Sequence, residues 1–230
     1  MTVHWYDRPS GQKVALRATP RLASWNKATD RDQIALREYL LDTVELATSS
    51  IPPIGPWSLR LDVGLPENRA LTADADLDNY ALPLATALPS KQLVTVWCSK
   101  RHAASSHLVI GPAHLKNPPS GAVQIRTTAS ASTPAYKHQV RNAVADMAEL
   151  ADGPVRLQIA FAVGPTRNWM NLWKPTIDAL DPLLGRTHPA REWHPRDGRI
   201  VDLGLHRTID PNLGYEVEVA LVAEEACRVR

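Results

Sequence analysis

The sequence predicts an α+β fold made of two tandem β-α-β-α-β-β units related by a pseudo-twofold axis. Three observations lead there. The 230 residues are 44% hydrophobic and 22% charged, an ordinary globular composition. Short segments of alternating apolar character are separated by stretches with helical periodicity. The second half repeats the first in element order and approximate length.

Element by element, KVALRA at 13–18 and AVQIRT at 122–127 both alternate and read as strands. A helix follows each. In the first half Thr29 or Asp30 can cap one whose apolar positions are Ile34, Leu36, Leu40, Leu41 and Val44. In the second half Val140, Val144, Met147, Ala148 and Leu150 play that part, before Gly153. GPWSLRLDVGLPENR at 55–69 and GPVRLQIAFAVGPTR at 153–167 share a Gly-Pro start, an alternating strand and a final Arg. LDNYALPLATAL at 77–88 and WMNLWKPTIDAL at 169–180 then read as helices, each with a proline (Pro83, Pro175) at the same depth. KQLVTVW (91–97) with SHLVI (106–110), and GRIVDLGL (198–205) with YEVEVALV (215–222), read as a strand pair in each half. The KNPPSG turn around Pro118 and Pro119 divides a first unit, 1–118, from a second, 119–230. A duplicated body of this kind copies a homodimer within one chain, so a monomer acting as an internal pseudo-dimer is expected.

Composition narrows the functional classes. No apolar run reaches the roughly 18 residues of a membrane span, and MTVHWYDRPSGQK lacks the apolar core of a signal peptide, so no membrane association and a cytoplasmic location are expected. Two cysteines, Cys98 and Cys227, rule out a disulfide framework and a four-thiolate zinc site. Phosphate-binding Gly-rich loops, nucleophile elbows and the H-E-x-x-H zinc motif are absent. His188 and His194 match no standard zinc spacing. Net charge is +2, but residues 79–145 contain no Asp or Glu and seven cations: Lys91, Lys100, Arg101, Lys116, Arg126, Lys137 and Arg141. That stretch is expected to contact phosphates. The loop GRTHPAREWHPRDGR (185–199) adds Arg191, Arg196 and Arg199 around Trp193, a composition suited to gripping phosphates and stacking on a base, or to a solvated loop pinned by its tryptophan.

Asp76-Leu77-Asp78-Asn79 is the sharpest constellation. Two carboxylates two residues apart at a helix start can share a hard, oxygen-preferring cation, with Mg²⁺ the natural candidate and Asp74 a further ligand or a solvated neighbour. An Asp-rich helix cap is the competing reading.

DLDNYALPLATAL, and in the other half NLWKPTIDAL followed by RDGRIVDL, resemble the signature of RusA-like Holliday junction resolvases: Asp-x-Asp-Asn at a helix start, a Lys within the helix, Asp-Ala-Leu near its end, and an acid before the next strand. The resemblance implies a small, mixed α/β, Mg²⁺- or Mn²⁺-dependent endonuclease that acts on branched DNA in recombination and repair, here as a fused dimer. Carried over, it assigns Asp76 and Asp78 to the paired metal-binding acids of the first half. There the helix Lys is replaced by Leu82, the later Asp by Thr86, and the final acid falls near Ser90. In the second half the paired acids become Asn168 and Met170, while Asn171, Lys174, Asp178 and Asp197 match. If the two helices meet across the axis, Asp76, Asp78 and Asp197 would hold the metal and Lys174 would complete a composite catalytic site. If they do not, neither half is complete, and the chain is a non-catalytic DNA-binding or protein-interaction module derived from a RusA-like dimer.

Overall fold

The computed structural model describes residues 3–23, 27, 29–73 and 75–226. In chain order the elements are β1 (Trp5–Tyr6), β2 (Val14–Ala15), α1 (Arg31–Thr48), β3 (Trp57–Leu65), α2 (Leu77–Ala87), β4 (Leu93–His102), β5 (His107–Pro112), β6 (Leu115–Lys116), β7 (Val123–Thr127), α3 (Pro134–Val144), β8 (Val155–Val163), α4 (Trp173–Asp178), α5 (Asp181–Leu184), β9 (Ile200–Ile209) and β10 (Val217–Glu225). Single 3₁₀ turns at Ser90–Gln92, Trp169–Leu172 and Asp197–Arg199 lead into β4, α4 and β9. The architecture is mixed α+β. One mixed sheet has the order β2-β5-β3-β4-β9-β8-β10-β7, and β1 pairs with β6 in a separate antiparallel ribbon.

Strand alternation sorts the two sheet faces. In β8, Leu157, Ile159, Phe161 and Val163 point into the main core, where α1, α2, α3 and α4 lay their buried side chains. Ala160 and Ala162 point the other way, into a smaller cluster with Val3, Trp5 and Leu213 under the β1–β6 ribbon. Arg8 anchors the chain after this ribbon by pairing with Asp202 of β9 at 2.7 Å and Asp62 of β3 at 3.3 Å. His206 of β9 is fully buried beneath it, bonded to Thr95 at 2.9 Å and flanked by Trp5 and Trp97. Burial, with Lys116 adding to it, holds the His206 imidazole well below its usual pKa.

Three expectations change. The strands expected to pair within each half do not touch: β3 lies between β4 and β5, and β8 between β9 and β10, because β3–β4 and β8–β9 are parallel and joined by helical crossovers. Asp30 caps α1 as expected, its side chain accepting from the Asp32 N–H, but the inward face is Leu36, Tyr39, Thr43 and Ala47. Ile34 and Leu41 are exposed, since adjacent Leu40 and Leu41 lie about 100° apart and cannot both centre on one stripe. In the second half α3 stops at Val144, leaving Met147 exposed beyond it.

The two proline-bearing helices resolve differently. α2 runs through Pro83; the missing N–H would have bonded the Asn79 carbonyl, which accepts from the Ala23 N–H at 2.8 Å instead. In the second half a 3₁₀ turn comes first, so Pro175 falls in the opening turn of α4, where a missing N–H leaves nothing unpaired. The sheet runs unbroken past the Pro118–Pro119 turn through the antiparallel β4–β9 pair at its centre.

Candidate metal centre

α2 packs against both β4 and β9, so its N-terminus reaches across the middle of the sheet to the turn that feeds β9. Asp76 and Asp78 stand at that N-terminus and Asp197 on that turn; one carboxylate oxygen from each lies within 4.8 Å of the others. Lys174, from α4, sits 3.1 Å from Asp197 and 2.9 Å from Asp178. The four residues expected to carry the chemistry therefore converge, joined by Asp178, which the resemblance matched but which was not among the expected site residues. Asp74 lies outside the described residues.

The geometry bears out the helix-cap reading of the Asp pair in position, Asp76 at the N-cap and Asp78 in the first turn, but not in bonding. Asp76 holds the N-cap position, yet its side chain makes no capping bond; it accepts instead from the Asn79 side-chain amide at 3.2 Å. Asp78 is 3% exposed, and its carboxylate joins none of the ion pairs or side-chain hydrogen bonds of the described residues. Burial, with the charges of Asp197, Asp76 and Asp178, raises its pKa to about 7 against the pull of Lys174. Burial alone would lower the Lys174 pKa, but Asp78, Asp197 and Asp178 outweigh it and hold the ammonium charged.

Lys100 belongs to this centre and not to a phosphate-contacting surface. It is 3% exposed, and its Nζ donates to the Ala75 carbonyl at 3.1 Å and the Gly198 carbonyl at 2.6 Å. It thereby ties the residue before Asp76 to the residue after Asp197. Ala75 has φ +58°, a left-handed conformation that a side chain adopts at a cost and that this grip helps to hold. Burial lowers the Lys100 pKa to about 8, with Asp76 and Asp197 opposing. Nothing in the sequence separates this buried lysine from its exposed neighbour Arg101 except strand alternation, which turns Lys100 toward the helices.

The other expected phosphate contacts divide by partner. Arg199 is buried and donates to the carbonyls of Gly153, Leu150, Leu184 and Ala151, so it is a structural clamp. Arg141 pairs with buried Asp181, Arg196 with Asp152, Arg126 with Glu216, and Lys137 with Asp178. Lys116 bonds Gln158 and lies over the Trp97 ring. Trp193 is half-buried against the core, at a T-shaped angle to His138, with Lys137 over its ring. Lys91, Arg101 and Arg191 remain exposed.

The donor set suits a divalent cation. Asp76, Asp78 and Asp197 offer oxygens within 4.8 Å of one another, and together with Asp178 they outnumber the cations Lys100, Lys137 and Lys174 by one formal charge. A cleft of about 650 Å³, lined in part by Asn79, Lys174, Asp178, Lys137 and Arg167, opens beside Lys174. No family model, no curated protein and no solved structure matches this chain.

Proposed function

We propose that the chain is a RusA-like, Mg²⁺- or Mn²⁺-dependent endonuclease for branched DNA, a monomer in which two tandem units, 1–118 and 119–230, share one composite centre. The convergence of Asp76 and Asp78 from the first unit with Asp197 and Lys174 from the second carries this reading. A bound divalent cation supplies phosphate polarisation and a more acidic water. Asp76, Asp78 and Asp197 would hold the metal, and the Lys174 ammonium, kept charged by its acidic neighbours, would neutralise charge developing on the scissile phosphate.

Matched contacts support the two-unit, pseudo-twofold part of the reading. Read inward from either edge, the strand orders β2-β5-β3-β4 and β7-β10-β8-β9 have the same senses of pairing. Both parallel pairs carry an irregularity at the same point, Trp57/Ser58 and Val155/Arg156. Lys100 reaches the Gly198 carbonyl, while Arg207, at the same depth in β9 as Lys100 in β4, reaches the Lys91 carbonyl at 2.7 Å. Each cation crosses to the 3₁₀ turn of the other half.

One observation favours the non-catalytic alternative: Lys174 already neutralises two of the carboxylates. Incubation of a labelled four-way junction with Mg²⁺ or Mn²⁺ decides between them. The nuclease reading expects cleavage that Asp78→Asn abolishes while DNA binding is kept or tightened; junction binding with no product across both metal titrations overturns it.

A further inference from the structure

Resting on the two-unit reading, we infer that the protein is a nicking enzyme that makes one incision per engaged DNA, because only one of its two equivalent positions can hold a metal. At the second position the residues standing where Asp76, Asp78, Lys174, Asp178 and Asp197 stand in the first are Asn168, Met170, Leu82, Thr86 and Ser90. These too meet across the halves: Thr86 Oγ1 lies 3.8 Å from Met170 Sδ. The substitutions remove each property the working centre depends on. Asn168 spends its side-chain oxygen as a helix cap, accepting from the Met170 N–H at 3.0 Å, whereas Asp76 makes no such bond. Met170, 4% exposed, puts a thioether where Asp78 puts a buried carboxylate. The Thr86 hydroxyl donates to the Leu82 carbonyl at 2.8 Å. A hard divalent cation takes carboxylate and other oxygen ligands, and none of these five residues is a carboxylate.

What remains at the second position suits holding DNA without cutting it. Asn168, Met170 and Asn171 line the same cleft as Lys137, Arg167, Lys174 and Asp178. A backbone seated there meets Arg167, while Lys137 and Lys174 are already paired with Asp178. At the working centre a water oxygen adds to phosphorus, one P–O bond to the sugar breaks, and the departing oxygen takes the proton that the water gives up. The reaction is a hydrolysis, needs no redox partner, and happens once.

The test uses a supercoiled plasmid carrying an extruded cruciform, full-length protein in excess, and Mg²⁺ or Mn²⁺. Nicked circle should accumulate, with linear DNA forming at least about tenfold more slowly. Linear DNA appearing as fast as the nick overturns the single-incision inference and leaves the nuclease reading standing. No product with either metal overturns both. Mn²⁺ binding followed by electron paramagnetic resonance gives a readout independent of cleavage. One class of site that Asp78→Asn eliminates is expected, and Mn²⁺ binding that survives Asp78→Asn overturns the assignment of a single centre.

Discussion

The Lys100 ammonium donates to the Gly198 carbonyl at 2.6 Å, so a strand of the first half positions the turn that carries Asp197 in the second. Because the same ammonium holds the Ala75 carbonyl, it fixes the spacing between Asp76 and Asp197. Lys100→Met keeps the stem volume but leaves two carbonyls unpaired. It should cost about 1–3 kcal/mol of stability and weaken Mn²⁺ binding by about 10- to 100-fold. Denaturant unfolding and Mn²⁺ titration check this. A phosphate contact would instead lower the salt dependence of DNA binding and leave metal affinity alone.

Asp78 makes the metal-free protein sensitive to pH. Its folded pKa is raised to about 7, whereas an unfolded aspartate titrates near 3.9. Between these values the folded state binds a proton that the unfolded state has released, so stability falls as pH rises from about 4 to about 7 and then levels. Thermal melts in a chelator should show this decline. Asp78→Asn should flatten it and raise the melting temperature at pH 8, and a divalent cation should do the same for the wild type.

DNA affinity should depend on few cations. Arg101→Glu and Arg191→Glu remove exposed charges and should each weaken binding to all sequences and reduce the salt slope by about one. Fluorescence anisotropy across a KCl series measures both. Arg126→Gln should change little, because Glu216 already neutralises that guanidinium.

Asp181 is a structural acid. Its side chain is fully buried and pairs with Arg141 and Arg186, which are 22% and 28% exposed. Asp181→Ala should destabilise the fold by about 3 kcal/mol, the low end for a broken buried pair, since both arginines can turn toward water. Arg141→Ala should also lower stability while leaving the salt slope of DNA binding unchanged.

Strand positions and element order were legible because alternation and Gly-Pro boundaries are local properties: β3 and β8 fall inside the segments that begin at Gly55 and Gly153. The Asp76–Asp78 pair was legible as a motif, and the counterpart acid and lysine only through the family resemblance. The lattice of ion pairs was not. Lys100, Arg141 and Arg199 resemble surface cations in sequence, and what engages them is carbonyls and acids supplied from 15 to about 100 residues away. Charge counting along the chain cannot see such partners. Three of the seven cations of the acid-free stretch are thus neutralised by acids from outside it, Arg126 by Glu216, Lys137 by Asp178 and Arg141 by Asp181.

The central β4–β9 pair has a consequence for dividing the molecule. Separating the chain at the Pro118–Pro119 turn strips a neighbour from a ten-residue strand on either side and bares a row of backbone donors and acceptors in the middle of what was a continuous sheet. An antiparallel edge can accept a second copy of itself in the register its lost neighbour used. A fragment of either side that keeps its strands is therefore expected to self-associate, and one of residues 119–230 pairing through β9 would bring together two Lys174–Asp197 sets with no Asp76 or Asp78 to complete them.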